Sequence, residues 1–567
     1  MREFETSARV NEMLARGKIL APGESPQHMF ERVMDRLFSI ESTWGIDLGE
    51  TQRNKDIFAD YMLQSAISPG SPTLTNAGRS ENDNTTLSSC VVIPVDLRKL
   101  DEAAGKIRSY YKQNMGSGFD FTPYDDPVGL LLWLNDLSAK ETATGDYDRY
   151  IGNMGSLHVS HPRIREFIRA KRDTSIKHFN ISVDVSDEFM SAAIEHGVYR
   201  LADDTRIDAS RLLEEIAESA QHNGDPGLIS LERMNRDNPV QIISPYTSTP
   251  PCSEMGLAPG ETCQFGYINL LKFVTPDGID FAKLSDAATI MTRALDNAIE
   301  ISRSGYPDEE SQQLAVLKRK IGIGVCGLAD TFIQLGISYE SEQGRMLARD
   351  MLACINYATK VASVRLAEQR GSCGAMADRK NNKYYHGFIE SRYAMNPTSS
   401  VSQSEWEKLA EYINRTGKLR NILTTALPPT GRTSILLGVT SSIEPLFSMH
   451  GWNEDTRKYI ELFVSQRVGP DSQRVLAQAS EQGTFQHTLL PDKEVLKTVK
   501  EISSIDQLEM VAAVSGVYDE AISKTVNLPS TASVQDVLDI FITSHRLGLK
   551  NISVYRDKSY ENQPITL

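Results

Sequence analysis

The sequence predicts an α/β protein with a buried sheet, on three observations. Short β-rich pieces such as Phe179-Asn180-Ile181-Ser182-Val183 alternate with helical periodicity at 208–221, 282–302 and 341–369; such alternation packs helices onto a covered sheet. A breaker-rich stretch, Ser68-Pro69-Gly70-Ser71-Pro72-Thr73, is followed by β-like pieces such as Cys90-Val91-Val92-Ile93-Pro94. Finally, Ile321-Gly322-Ile323-Gly324-Val325-Cys326-Gly327-Leu328 is apolar and rich in glycine. Close packing of a helix against a strand accounts for those glycines.

Residues 1–66 are expected to be helical. Met29, Phe30, Val33, Met34 and Leu37 recur at helical spacing. Ser25 is the expected N-cap, with Pro26 at the first helical position. Gly322, Gly324 and Gly327 fit Gly-x-Gly-x-x-Gly, but neither a ribose-binding acid nor a full β-α-β unit accompanies them. The tyrosine-bearing, polar region 378–406 reads as a surface excursion. No internal repeat is visible.

With 567 residues the chain exceeds one ordinary domain, although a large barrel can absorb such a length. Hydrophobic content of 40% and charged content of 24% are ordinary for a soluble globular protein. A net charge of −15 argues against a nucleic-acid partner while leaving room for a local nucleotide pocket. No apolar run reaches the length of a membrane span, 128–134 being the longest, and the start of the chain has no apolar signal core. The expectation is a cytoplasmic protein with no membrane partner. Its six cysteines form no Cys-x-x-Cys pair, so neither a disulfide scaffold nor a structural zinc site is expected. His158 and His161 read as ordinary polar residues.

The clearest chemistry lies in Thr249-Pro250-Pro251-Cys252-Ser253-Glu254 and in Cys263-Gln264-Phe265-Gly266-Tyr267-Ile268-Asn269-Leu270. Pro, Gly, Ser and Thr crowd 244–260, which argues for a loop. Residues i and i+2 of an extended segment face the same side, so Cys252 and Glu254 can address one small molecule. A thiol and a carboxylate held together suit the movement of hydrogen atoms and protons. The plainer reading is a small buried cysteine beside a solvated glutamate.

Separated stretches, taken together and in order, resemble the catalytic subunit of ribonucleotide reductase from Leu20 to the C-terminus. They include Ser71-Pro72-Thr73-Leu74-Thr75-Asn76-Ala77-Gly78, Leu87-Ser88-Ser89-Cys90, Gly118-Phe119-Asp120-Phe121 and Gly152-Asn153-Met154-Gly155. Gly224-Asp225-Pro226-Gly227-Leu228, the two cysteine stretches, and Lys320-Ile321-Gly322-Ile323-Gly324-Val325 come next. Pro428-Pro429-Thr430-Gly431-Arg432-Thr433-Ser434, Ser442-Ile443-Glu444-Pro445 and Thr525-Val526-Asn527-Leu528-Pro529 complete the series.

The resemblance implies a ten-stranded α/β barrel of two five-stranded halves around a finger loop. An N-terminal helical region (1–66) would precede a catalytic barrel (67–567). Cys252 matches the radical cysteine at the fingertip, whose thiyl takes the 3′-hydrogen of a ribonucleotide. Glu254 matches the base for the 3′-hydroxyl proton. Cys90 and Cys263 match the pair that supplies two electrons and closes to a disulfide. Cys326, Cys354 and Cys373 match no catalytic position. Pro429, Thr430, Gly431, Arg432, Thr433 and Ser434 match the substrate-phosphate loop, and Ser71 and Ser89 match residues of the sugar pocket. Arg432 stands where a threonine is common; it either adds phosphate contacts or is solvated.

The tail is similar to the adenosylcobalamin-dependent class, because Val554-Tyr555 replaces the adjacent tyrosines of enzymes that use a metal-bearing subunit. Adenosylcobalamin is therefore the expected cofactor, a ribonucleoside di- or triphosphate the substrate, and a thioredoxin-like protein the reductant. The resemblance also allows a homodimer. Three departures stand out. Pro250 replaces an Asn that holds the substrate through its amide. The effector loop after Phe121 is short, and Tyr147-Asp148-Arg149-Tyr150-Ile151 replaces an arginine-rich run. No ATP-binding cone precedes Leu20 and no cysteine pair stands near Leu567. These departures keep two alternatives open: a reductase-like radical enzyme with a different nucleotide product, and a non-catalytic nucleotide-binding paralogue.

Overall fold

The computed structural model describes residues 4, 6–79, 85–145, 150–172, 175–448 and 454–559. Three helices come first: α1 (Ala8–Arg16), α2 (Pro26–Ser39) and α3 (Leu48–Leu63). The Ser25 hydroxyl caps α2 by accepting the His28 N–H at 3.2 Å, and Pro26 occupies the first turn, where its missing N–H costs no helical bond. The periodic residues Met29, Phe30, Val33, Met34 and Leu37 are buried.

Ten strands follow: β1 (Ile67–Pro69), β2 (Cys90–Val92), β3 (Gly116–Asp120), β4 (Asn153–His158), β5 (Phe179–Asp184), β6 (Gly227–Ile229), β7 (Thr262–Asn269), β8 (Ile321–Cys326), β9 (Thr525–Leu528) and β10 (Asn551–Arg556). Strands β2 to β6 pair in parallel, each with the next, as one five-stranded half. In the other half β7 pairs in parallel with β8, and β9 with β10. Between β8 and β9 runs the segment 423–427, through parallel bridges Ile323↔Thr425 and Leu427↔Ile522. The halves meet antiparallel, β2 against β7 and β6 against β10, and β1 pairs antiparallel with the far end of β7. The sheet therefore closes on itself as an α/β barrel. Helices α4 (Phe281–Ser302) and α5 (Glu342–Arg370) are buried along most of their length on the β7–β8 side.

A buried ion network ties the N-terminal helices to the barrel. Asp296 of α4 accepts from Arg319 at 2.7 Å, Arg370 at 2.8 Å and Arg420 at 3.2 Å. Arg370 also reaches Glu41, which follows α2, at 2.9 Å, and its guanidinium lies 4.1 Å from the Trp44 ring centroid. Burial raises the Asp296 carboxyl, but the Arg319, Arg420 and Arg370 guanidiniums outweigh it and hold the group well below the usual carboxylate range.

Two sequence readings change. Region 378–406 is not a surface excursion: Tyr384, Phe388, Tyr393 and Trp406 are buried. The Tyr384 hydroxyl donates to the Ile422 carbonyl at 2.7 Å, and Tyr393 bonds to Asp519 while stacking on Trp406. A tyrosine whose hydroxyl finds a partner is core material. The glycines of β8 also have another cause. A Cβ on Gly322 would stand 2.6 Å from the Phe265 ring, and one on Gly324 would meet Pro428 at 3.0 Å and Tyr267 at 3.4 Å. They make room for side chains of β7 and 428, not for a helix.

Candidate active site

Between β6 and β7 the chain leaves the sheet and returns as a finger. Its sides are joined at Ser248↔Leu257. Its tip turns at Pro250-Pro251-Cys252-Ser253, where the Ser253 N–H donates to the Pro250 carbonyl at 3.0 Å and Ser253 has φ +58°. The finger lies against β3: the Ser248 hydroxyl bonds Ser156 at 2.8 Å and the Phe119 carbonyl at 3.3 Å. Only glycine allows this approach, since a Cβ on Gly118 would sit 2.2 Å from the Thr249 carbonyl oxygen. Asn180 of β5 adds a 3.0 Å bond to the Pro251 carbonyl.

Buried charges fix the base of the finger. Lys320 donates to the Gly256 carbonyl at 2.7 Å and pairs with Glu261 at 3.0 Å and Glu520 at 3.1 Å. Glu520 accepts from the Tyr246 hydroxyl at 2.9 Å, and the Lys318 and Lys320 ammonium groups lie 4.7 and 4.4 Å from the Tyr246 ring centroid. Burial lowers the Lys318 ammonium to about 8 despite the Glu261 carboxylate beside it. From the sequence, Lys320 figures only as the start of a resembling stretch and Glu520 has no place, because their ion-pair partners are remote along the chain.

The fingertip enters a cavity of about 380 Å³, ample for a nucleotide's sugar and phosphates. Cys252 and Glu254 line it with Ser71, Ser89, Cys90, Pro429, Thr430, Gly431, Arg432 and Thr433. Cys252 is exposed, whereas the other five cysteines are buried. Glu254 is 2% exposed. Cys90 and Cys263 are directly opposite each other in the β2–β7 register, with the Cys263 sulfur 3.8 Å from the Cys90 carbonyl oxygen. Opposed residues of an antiparallel pair share a face of the sheet. Cys90 reaches the cavity wall and Cys263 lies out of contact with it. Burial pushes the Cys263 thiol well up, helped by Cys90 and by the charge of Glu254, so it stays protonated at neutral pH.

Residues 428–430 lead into the short helix α6 (Gly431–Leu437). A Cβ on Gly431 would touch nothing within 4 Å, so the start of α6 opens onto the cavity. The Thr430 hydroxyl is engaged by the Ser442 N–H at 2.8 Å and by Ser441 at 3.0 Å. Ser434 does not line the cavity; it is buried and donates to the Gly431 carbonyl at 3.2 Å. Arg432 lines the mouth and reaches the Gly17 carbonyl, just after α1, at 3.4 Å. Pro250 is buried and does not line the cavity. The loop after Phe121 is short, with the next helix beginning at Pro127; residues 147–149 lie outside the described residues.

The sequence reading missed Asn76, Asn114, Tyr150, Phe265 and Tyr267, which also line the cavity. For Phe265 and Tyr267 a signal existed: they alternate with Cys263 at the two-residue period of a strand and share its face. Tyr150 is 60% exposed at the rim and stacks on His178 with centroids 4.9 Å apart. Among the described residues no group of three His, Cys, Asp or Glu side chains could hold a metal ion, and no helix is long and apolar enough to cross a membrane.

Fold and site together define a barrel enzyme with a thiol and a carboxylate at a central fingertip and two further thiols on the adjoining wall. The family described as ribonucleotide reductase, barrel domain, matches residues 88–555, and the chain belongs to that family. It is 32% identical over 578 aligned residues to a vitamin B12-dependent ribonucleoside-diphosphate reductase of Mycobacterium tuberculosis, covering 96% of this chain and 78% of that protein. A protein of the same description from Thermoplasma acidophilum is 33% identical over 90% of this chain and 66% of its own length. The fold matches the class Id ribonucleotide reductase alpha subunit of Actinobacillus ureae with a TM-score of 0.76 over 97% of each chain, at 19% identity.

Proposed function

We propose that this protein reduces a ribonucleotide to the 2′-deoxynucleotide by thiyl-radical chemistry with adenosylcobalamin as radical source. The observation that carries this reading is Cys252: an exposed thiol on a fingertip inside the cavity, with Glu254 beside it, Cys90 on the wall and Cys263 directly opposite Cys90 in the sheet. A radical on the Cys252 sulfur takes the 3′-hydrogen atom and becomes a thiol. Glu254 accepts the 3′-hydroxyl proton, and the 2′-hydroxyl, protonated by the Cys90 thiol, departs as water. Cys90 and Cys263 deliver two electrons and two hydrogens, ending as a disulfide. Cys252 then returns the hydrogen atom to C3′ and regains its radical. Gly431, Arg432 and Thr433 face the phosphates, with Ser71 and Ser89 on the sugar side. A thioredoxin-like protein re-reduces the disulfide by exchange, attacking from the Cys90 side, where the pair reaches the cavity.

The residues present fit cobalamin. Gly152, above which a Cβ would meet nothing within 4 Å, and the rim ring of Tyr150 would face that macrocycle and hold it beside Cys252. Bound there, the cofactor supplies a carbon radical from its cobalt–carbon bond.

Anaerobic incubation with adenosylcobalamin, a dithiol and each of the four ribonucleotides tests the proposal. Deoxynucleotide is the expected product; a modified sugar or free base alone would replace reductase by another radical activity. The same assay checks the finger. Gly118→Ala drives a methyl group into the Thr249 carbonyl. Displacing the tip by about 1 Å is expected to slow turnover roughly 100-fold. Turnover within twofold of the parent would show that the tip tolerates the shift.

A further inference from the structure

The mechanism above leaves the phenol of Tyr267 unused. Tyr267 is 6% exposed, and its side chain borders the cavity with Cys252 and Glu254. No described residue offers its hydroxyl a hydrogen bond, and it is not among the buried polar atoms shut off from the cavity. The fold makes specific room for it. In the β7–β8 register Phe265 is opposite Gly322 and Tyr267 opposite Gly324. Each ring lies over a glycine, where a Cβ would stand 2.6 Å from the Phe265 ring and 3.4 Å from the Tyr267 ring. The two glycines of the Ile321–Cys326 strand thus seat two aromatic rings on the face that carries Cys263. The finger, meanwhile, has a proline at 250, without a side-chain donor and turned away from the cavity.

We propose that Tyr267 is a catalytic residue whose phenol O–H donates to the 3′-oxygen of the ribonucleotide and to the 3′-ketone that replaces it after water is lost. The inference rests on the reductase reading of the same site. A preorganised donor on a cavity wall stabilises a carbonyl oxygen that develops beside it. The phenol remains protonated throughout the neutral range, because burial and the charge of Glu254 push its ionisation well up. The ketone needs such a hold. A carbonyl at C3′ acidifies C2′–H, and loss of that proton expels the base from C1′ if reduction is late.

The test is Tyr267→Phe, which keeps the ring over Gly324 and removes only the oxygen. Two measurements decide it. In turnover with adenosylcobalamin and a dithiol, kcat is expected to fall at least tenfold with KM within twofold, and free base to rise relative to deoxynucleotide. In equilibrium binding without cofactor, the parent protein's preference for a ribonucleotide over its 3′-deoxy analogue is expected to narrow at least threefold. An unchanged product ratio, or a loss of kcat matched by a rise in KM, marks a packing role and overturns the inference. An unchanged binding preference overturns it too, and needs no turnover. Absence of deoxynucleotide from the parent protein would sink the reductase reading instead, leaving the binding comparison to judge Tyr267.

Discussion

Cys252→Ala is expected to abolish every product, deoxynucleotide and free base alike. The reason is positional as much as chemical. Five of the six cysteines are buried, so no other thiol can present a radical sulfur to a molecule in the cavity. Cys90 reaches the wall, but it stands opposite Cys263 across the sheet, and in the proposed mechanism it supplies reducing hydrogen, a role it cannot combine with starting the reaction. A hydroxyl is no substitute either. Its bond to hydrogen is much stronger than a ribose carbon–hydrogen bond, whereas the sulfur–hydrogen bond is comparable, so only sulfur makes the abstraction reversible. Cys252→Ser should therefore be as inactive as Cys252→Ala. The side chain is exposed and fills no core, so both variants should unfold at the parent's denaturant midpoint. Turnover by either variant above the cofactor-free background would contradict a thiyl mechanism at this position.

Asp296→Ala is expected to be the most destabilising single substitution considered. It leaves the Arg319, Arg370 and Arg420 guanidiniums around an empty position inside the protein. Breaking one side of a buried ion pair costs about 3–5 kcal/mol, and three cations share this carboxylate. Glu41 and Glu300 still hold Arg370 and Arg319 by one bond each, and Asn297 and Arg293 of α4 still reach Glu41, which limits the loss. The effect is measured as a shift in denaturant midpoint, with Asp296→Asn as the shape-preserving control. A shift below about 0.5 kcal/mol, the range of ordinary surface changes, would show that the network contributes little. The pH dependence follows the depressed carboxyl. Its stabilising contribution is fully present above the unfolded pKa of about 4 and is lost as pH falls towards the lower folded value. Acid should therefore destabilise the parent protein more than Asp296→Asn.

Much of the site was legible because its parts are local. Cys252 and Glu254 lie two residues apart on one loop, and the phosphate-loop residues are consecutive, so a strand or loop period already groups them. Ser434 shows where such grouping ends: it belongs to the same run, but the first turn of α6 rotates it inward onto the Gly431 carbonyl. Tyr267 shows the opposite failure. Its spacing from Cys263 was readable, but its glycine partner comes from β8, which only the parallel register brings alongside. Region 378–406 was misread for a related reason. Its polar sequence suggests surface, whereas its tyrosines bury their rings and give their hydroxyls to Ile422 and Asp519.

By itself the sequence determined the alternation of strands and helices, the helical start capped at Ser25, and the pairing of a thiol with a carboxylate on a glycine- and proline-rich loop. These are consequences of periodicity and side-chain type within a few residues. Tertiary structure alone decided that the segment 423–427 bridges β8 and β9, that Gly118 lets the finger lie against β3, and that the Tyr267 ring borders the cavity with Cys90 and Cys252. Those outcomes depend on which backbones come within van der Waals reach of each other, and segments hundreds of residues apart carry no record of that in their own order.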